Sequence, residues 1–459
     1  MFVQYHFLTD YAASLPNRDQ NGNAKRIYYG NAERLRISSQ SFKAALRSAN
    51  HLVRYDPGNN RLVADNMADL ANNLGAGMAV RSRYVLPRRF LPLLTEDFAE
   101  RGFDGNPMEY VEAVMSMFTR GKTEEEDADG AGDENGEGVA EDISIDSLRL
   151  KQPVVIGEQE IGSLVKVVSG MAADGVVPKD IPARVLMAIQ GKIGRVRGKG
   201  DKKSGKNDAD EAAVVLSEDT VAAIDNFRMS MRRPGLDGIL FGRFSSTNLF
   251  HSVRAAVGFA HLLTVHPTMS TADYFTVMDT EKRDGEMGAS HANTAELTSG
   301  LYYGYAVLDL RVLAESLPMA TPEDLGAIAA WMVRGIYQSE SAAKIGSTAP
   351  FKGVSEILVE VGRRQPRSLM GAYQRAILPG SLSTSLSEDA ISRLRSYVAE
   401  ADRRGGQPDI MQAWLSEASP EKAGMLAGYE ALAVRLNKVV AESSGEFLEE
   451  WRVNLTAGV

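Results

Sequence analysis

The chain has 459 residues, 44% of them apolar and 24% charged, with a formal net charge of −9 and no cysteine. This is the composition of a globular protein with room for one elaborate domain or several ordinary ones, and it excludes disulfides, zinc ribbons and thiol chemistry. The negative charge argues against a nucleic-acid binder only until it is located: residues 124–142 hold ten carboxylates and no cation, and setting these aside from −9 leaves about +1 elsewhere.

In chain order, MFVQYHFLTD carries no basic leader ahead of a long apolar stretch, and no apolar run approaches a membrane span, so a cytoplasmic location is expected. Phe2 to Leu8 reads as a buried strand, rich in aromatic and β-branched residues. Residues 10–30, with Pro16, Asn21-Gly22-Asn23 and Gly30, read as a long loop. Arg34-Leu35-Arg36-Ile37 alternates basic and apolar residues, the pattern of a short strand with one wet face. Ser38 or Ser39 can then cap a helix with the apolar stripe Phe42, Ala45, Leu46, Ala49. Lys43 and Arg47, at i and i+4, share one exposed face of it and repel each other unless an anion lies between. With free N–H groups, serine hydroxyls and the Gln40 amide at the helix start, this is a cradle for phosphate; an ordinary solvated face is the plainer alternative.

Residues 64–120 read as helices with loops, and 121–142 as a disordered acidic loop. A strand is expected at 153–156 and helices near 157–174, 181–193 and 217–231. Between the last two, the segment 191–206 is basic and flexible in composition. It reads either as a tethered arm gripping nucleic-acid backbone, through Lys192, Arg195, Arg197, Lys199, Lys202 and Lys203, or as a linker kept solvated by its charge. It holds no phosphate-binding loop signature, because Lys199 is followed by Gly200. Ile239 to Phe244 reads as a strand with Arg243 between aromatic residues, and 254–265 and 297–311 as two more. The stretch between those two, with Glu281-Lys282-Arg283-Asp284 and glycines at 285 and 288, suits a protruding flap. Helix 322–337, strand 356–361 and helices near 387–404 and 420–452 complete the chain. The sheet-forming elements alone follow the order β-α-β-β-α-β, which is ferredoxin-like or RRM-like.

None of His6, His51, His251, His261, His266 and His291 falls in a metal-ligand spacing, and His6 and His261 lie in apolar strands as expected core or partly buried residues. Asp19, beside Arg18, is expected to be structural. The alternative is a general base or magnesium ligand, but Gln20 leaves it without an adjacent carboxylate. No nucleophile elbow or nucleotide fingerprint is present, so neither a catalytic residue nor a metal or cofactor site is expected.

NRD at 17–19 followed by RLRISSQSFKAALR (34–47), then LDGILFGRF (236–244), GASHANTAELTSGLYYGYAVLDL (288–310) and ILVEVGRRQPRSLMGAY (357–373), resembles the CasC family. These are the backbone subunits of the type I-E CRISPR surveillance complex, Cascade. The chain departs from that family's NRDD-like run at Gln20. The resemblance implies an α+β fold: an RRM-like (ferredoxin-like) palm at 1–50, 236–265 and 297–380, a helical fingers insertion at 51–235, a β-hairpin thumb at 266–296 and a C-terminal helical extension at 381–459. It implies a non-catalytic subunit that polymerises along a CRISPR RNA, grips phosphates whatever the sequence, and leaves bases open to target DNA, beside other Cascade subunits. By the same resemblance Asn17, Arg18, Arg34, Arg36, Ser38, Ser39, Gln40, Lys43 and Arg47 would hold the guide, Phe244 would stack on or wedge beside a base, and Arg243 would contact backbone or base. Two other classes stay open, a magnesium-dependent ribonuclease of RRM-like ancestry using Asp19, and a generic RRM-type RNA regulator; the latter lacks an RNP1-like motif, since Arg243-Phe244 is preceded, not followed, by Gly242.

Overall fold

The computed structural model describes residues 1–49, 51–56, 58–59, 61–118, 148–150, 153–191, 215–245, 249–277, 291–340, 345–378, 384–417 and 428–457. The acidic stretch 121–142, the basic positions from Lys192 to Lys203 and the flap tip at 280–290 lie outside these. Two compact units emerge, one of residues Met1–Leu70 with Ala256–Val459, the other of Ala71–Ala255. Each is α+β, and every strand pair is antiparallel.

The first unit opens with β1 (Phe2–Ser14), β2 (Arg26–Tyr29), β3 (Ala32–Ile37), α1 (Ser39–Ser48), β4 (Val53–Asp56), β5 (Arg61–Ala64) and α2 (Met67–Asn73), which runs into the second. The second unit holds β6 (Ala79–Ser82), a π-helical turn (Leu86–Phe90), α3 (Leu91–Glu100), α4 (Pro107–Ser116), β7 (Val154–Gly157), α5 (Glu158–Ala173), α6 (Ile181–Ile189), α7 (Glu218–Ser230) and α8 (Leu236–Phe241). The first then resumes with β8 (Val257–Phe259), β9 (Leu262–Thr264), β10 (Ser270–Val277), β11 (His291–Asp309), α9 (Leu310–Ser316), α10 (Pro322–Gln338), α11 (Ile345–Thr348), β12 (Gly353–Gly362), α12 (Leu386–Gly405), β13 (Met411–Trp414) and α13 (Gly428–Ala457).

The main sheet runs β13-β12-β1-β11-β9-β3-β2, with β8 and β10 also paired to β11. β1 is central, and the near-unbroken apolar run of its sequence reflects burial on both faces. Its odd residues face α1 and α10: the Tyr5 hydroxyl donates to Ala329 O at 3.0 Å, and Phe7 stacks on Phe42 at 5.5 Å. Its even residues face the other way, where Leu8 joins Tyr303, Leu358, Tyr373, Ile377 and Leu394 in a buried cluster roofed by α12 and residues 369–377. The central strands therefore offer no open sheet face.

Polar groups buried beneath that roof are linked to one another, with His6 Nε2 left without a hydrogen bond. His6 Nδ1 meets the Tyr303 hydroxyl at 2.8 Å, and its Nε2 lies 3.6 Å from Glu360. Glu360 also accepts from Arg367 at 2.6 and 3.1 Å and from Gln412 at 3.0 Å. Burial raises its carboxyl, but His6, Arg367 and Gln412 outweigh burial and bring it down to about 2, against an ordinary 4.5. A carboxylate held low when folded stabilises fully above pH ~4.5 and loses that contribution as pH falls toward ~2, about 3 kcal/mol in all. Urea unfolding of Glu360→Gln should show a deficit near pH 7 that closes as the pH approaches 2; a deficit that does not change with pH would mean the carboxylate is not held by this network.

The second unit packs helix faces at 3.6-residue spacing around Phe90, Leu94, Phe98, Val111, Val114, Val167, Met171 and Phe227. Two expectations are corrected in detail. The loop expected over 10–30 instead contains the end of β1 and all of β2, because Gly30-Asn31 closes a two-residue hairpin onto β3. Gly30 adopts φ +64°, and a Cβ there would overlap the Gln374 carbonyl oxygen, so only glycine fits. Of the strand expected at 239–244, residues 239–241 end α8, which is bracketed by Gly235 and Gly242 at φ +86° and +82°, and Arg243 keeps only a lone bridge to Val253. A short apolar run suits either state; full burial of all six residues between two chain reversals favours the helix.

Candidate nucleic-acid interface

Loop 17–25 is knitted to the start of α1. Asn17 Oδ1 accepts from the Ser38 N–H at 3.0 Å, and Lys25 N donates to Asn17 O at 3.0 Å. Asp19 Oδ1 accepts from the N–H groups of Asn21 and Asn23, both at 2.9 Å, which closes the turn. Its carboxylate is thus spent on backbone, as the structural reading expects. Ser38 is the cap residue, accepting from Ser41 N at 3.3 Å. Part of the anion cradle expected here is therefore filled by Asn17 and Ser38, which act on the fold. Ser39 Oγ reaches the Gln40 amide oxygen at 3.4 Å, with Gln40 exposed.

Between this loop and the β10–β11 ribbon runs a groove of about 790 Å³, lined among others by Asp19, Lys25, Arg26, Arg36, Ser270 and Glu296. Arg26 pairs with Glu296 and lies 3.6 Å from Glu33, while the Ala24 N–H donates to Glu296 at 2.6 Å. Burial raises the Glu296 carboxyl, but Ala24, Ser270 and Arg26 together hold it below the usual range. Glu296 is thus held by Ala24, Arg26 and Ser270, and Asp19 closes its own turn through Oδ1. Among the described residues no three His, Asp or Glu side chains form a metal-binding group.

The positive strip continues from the groove onto α1. Burial first, and then the charges of Arg36 and Lys25, lower the pKa of exposed His261, so its ring is neutral at pH 7 and marks positive potential around it. Two residues away, Phe259 lies under Lys43 Nζ, 6.0 Å from the ring centre. Burial and then the like charge of Arg47 lower the Lys43 pKa. Arg18, Lys25, Arg36, Lys43 and Arg47 thus follow one another along the first unit, with Arg18 exposed and the other four half-buried. Lys25 was missed from sequence because its segment was read as loop; Phe259 and His261 fall in a segment read as one strand, and His261, expected in the core or partly buried, is instead exposed between β8 and β9.

Two expected contacts belong elsewhere. Arg34 is fully buried, donating through Nη1 to Thr264 O and through Nη2 to Tyr373 O, both at 2.9 Å. The face that alternation marks as wet is covered by residues 369–377, whose buried carbonyls need donors. Arg243 is 3% exposed in the second unit, where it pairs with Glu160 and donates to Met231 O at 2.9 Å and His251 O at 2.8 Å. Neither guanidinium is available to RNA. Phe244, its neighbour, is 89% exposed.

The ribbon itself projects past the sheet. β11 pairs with β1 only as far as Thr298, and its earlier residues pair with β10 alone. Residues Ser270 to Thr276 are all exposed, including Tyr274 at 67% and Phe275 at 40% on opposite faces.

No helix among the described residues is long and apolar enough to cross a membrane. The profile of the CT1975-like protein family matches residues 3–441. No curated protein matches the chain. Among solved structures, a chain of a "CRISPR RNA-guided surveillance complex, pre-nicking" is similar over 96% of this chain and 100% of its own, at 21% identity and a TM-score of 0.61. A chain of a "CRISPR RNA-guided surveillance complex" is similar over the same shares, at 20% identity and a TM-score of 0.53. At these identities the likeness is one of fold.

Proposed function

The chain belongs to the CT1975-like protein family, and from that membership we propose that it is a guide-holding backbone subunit of a CRISPR surveillance complex of the type I-E kind. The observation that carries the reading is the basic strip Arg18–Lys25–Arg36–Lys43–Arg47 beside a groove and a protruding ribbon. Cations on a rigid sheet edge and helix grip phosphates whatever the base, as a holder of varied guides requires.

In this reading the sheet of the first unit is the RRM-like palm. The order β12-β1-β11-β9, joined through α1 and α10, is that of a ferredoxin-like core. The ribbon is the thumb, and the compact unit Ala71–Ala255 supplies the fingers in place of the 51–235 that the resemblance implies. Copies stack head-to-tail along the CRISPR RNA, an open heterologous contact that extends into a filament, with other Cascade subunits at its ends and target DNA pairing to the exposed bases. In this reading the subunit itself cuts nothing: Glu296 is held by Ala24 and Arg26, and Asp19 closes its own turn through Oδ1. A generic RRM regulator would stack bases on an open sheet face, and the covered central strands leave none.

Native mass measurement of the protein co-expressed with a CRISPR RNA should give several copies on one intact RNA, with magnesium present. A one-to-one complex, or a shortened RNA, would refute the reading. The ribbon is tested separately. Tyr274→Ser with Phe275→Ser removes exposed aromatics that no core uses, so thermal stability should hold within about 0.5 kcal/mol. Periodic reactivity of the guide to single-strand probes should fade; the unaltered pattern would move the wedge elsewhere.

A further inference from the structure

The second unit carries a basic surface that the guide reading leaves unused. Residues 79–95 contain four arginines and no lysine or acidic residue. Arg81 lies in β6, Arg83 and Tyr84 follow the strand, and Arg88 and Arg89 lie in the π-helical turn, closed by the Leu91 N–H on Leu86 O. Such a wide turn has poorer geometry than an α-turn and recurs at functional sites. Tyr84 gathers two guanidiniums: Arg88 Cζ lies 5.0 Å and Arg149 Cζ 5.8 Å from its ring centre. Arg149 is fixed by its neighbours, since Leu148 and Leu150 are buried and Leu150 N donates to Arg83 O at 2.9 Å. Arg81, Arg88, Arg89 and Arg149 are exposed and Arg83 half-buried, and none of the five forms an ion pair among the described residues.

The two guanidiniums on the Tyr84 ring and the arginines beside them in the chain repel each other, and no carboxylate among the described residues pairs with any of them; an external anion relieves that repulsion. A guanidinium lying on an aromatic face keeps its N–H edge free for a bidentate phosphate contact. Stacking also restricts its rotamers before binding, which lowers the entropy lost on association. The ring and the arginine planes further offer surfaces on which unstacked bases can lie, a feature that suits a nucleic-acid strand better than an acidic peptide. We propose that Arg81, Arg83, Tyr84, Arg88, Arg89 and Arg149 form a second strand-binding surface, which holds the phosphodiester backbone of a single-stranded nucleic acid. RNA and DNA share this chemistry. The surface is built from the second unit alone and does not depend on the guide strip.

The test uses the full chain and fluorescein-labelled 20-nucleotide oligo-U and oligo-dT, read by anisotropy across a salt series. Lys43→Gln with Arg47→Gln first weakens the guide strip. In that background Arg88→Gln with Arg149→Gln should lower the remaining affinity about ten-fold and reduce the log K against log salt slope by about 1.4, the value for two phosphate contacts on a single strand. Arg88→Lys with Arg149→Lys should keep the slope, and Tyr84→Leu should keep it while weakening affinity several-fold. Equal losses for both oligomers mean backbone recognition of either strand, and a loss for one alone names the strand held; both support the surface. Affinity and slope unchanged by the glutamine pair would overturn it, as would polyglutamate competing as well as an oligonucleotide of equal charge. If the Lys43 and Arg47 changes alone have no effect, the guide reading fails, while the glutamine pair in the unaltered chain still decides this one.

Discussion

Replacing Lys43 and Arg47 together by glutamate is expected to weaken binding of single-stranded RNA by at least about ten-fold. Two phosphate contacts leave, so the log K against log salt slope should flatten by about 1.4. The two side chains share one face of α1, and the lowered Lys43 pKa records both its partial burial and the charge of Arg47 beside it. An RNA phosphate that reaches this face meets both charges, so each adds to binding. Lys43 rests against Phe259, so a glutamate there also meets an apolar neighbour. Lys43→Gln with Arg47→Gln separates the effects: it should lose the same slope with little change in the unfolding midpoint. A slope identical to that of the unaltered protein would remove α1 from the interface.

Arg243→Met should destabilise the second unit by about 3–5 kcal/mol and leave the salt dependence of RNA binding untouched, because its role is in the core. The guanidinium compensates Glu160, which is fully buried and also accepts from the Gly157 N–H at 2.8 Å at the start of α5. Removing Arg243 strands that carboxylate and leaves the Met231 and His251 carbonyls short of a donor. Burial already raises the Glu160 pKa against the opposing pull of Arg243, so in the variant it rises further. A carboxyl raised on folding is penalised above its folded pKa and relieved as the pH drops through it. The deficit, read by urea unfolding, should therefore shrink as pH falls from 7 toward 4. Phe244→Ala, one residue along and 89% exposed, should cost under about 0.5 kcal/mol. A small, pH-independent loss for Arg243→Met would return that residue to the surface.

Periodicity made much of the fold legible. The central strand at 2–8, helix 39–48 with Phe42 and Leu46 inward, helices 158–173, 218–230 and 322–338 and strand 353–362 follow from patterns spaced at 2 or 3.6 residues, and the cap of the first of these helices from Ser38. The i,i+4 pair Lys43 and Arg47 was equally plain, because spacing on a helix needs no knowledge of what surrounds it. These are local properties, and the chain alone determines them.

What surrounds a residue is not local, and there the tertiary structure decided. Arg34 and Arg36 look alike in an alternating strand, yet residues more than 300 positions away roof one and leave the other lining a groove. Arg243 sits in a motif that matches an RNA-binding family, yet Glu160, 83 residues upstream, claims its charge. The groove needs a hairpin closed by Gly30, a glycine obliged by a carbonyl 344 residues further on. Burial of a charge depends on which distant backbone groups lack partners, and no periodicity within a segment encodes that. The sequence alone therefore determined which segments become helix or strand and where cations cluster along them; only the packing of distant segments determined which of those cations face solvent.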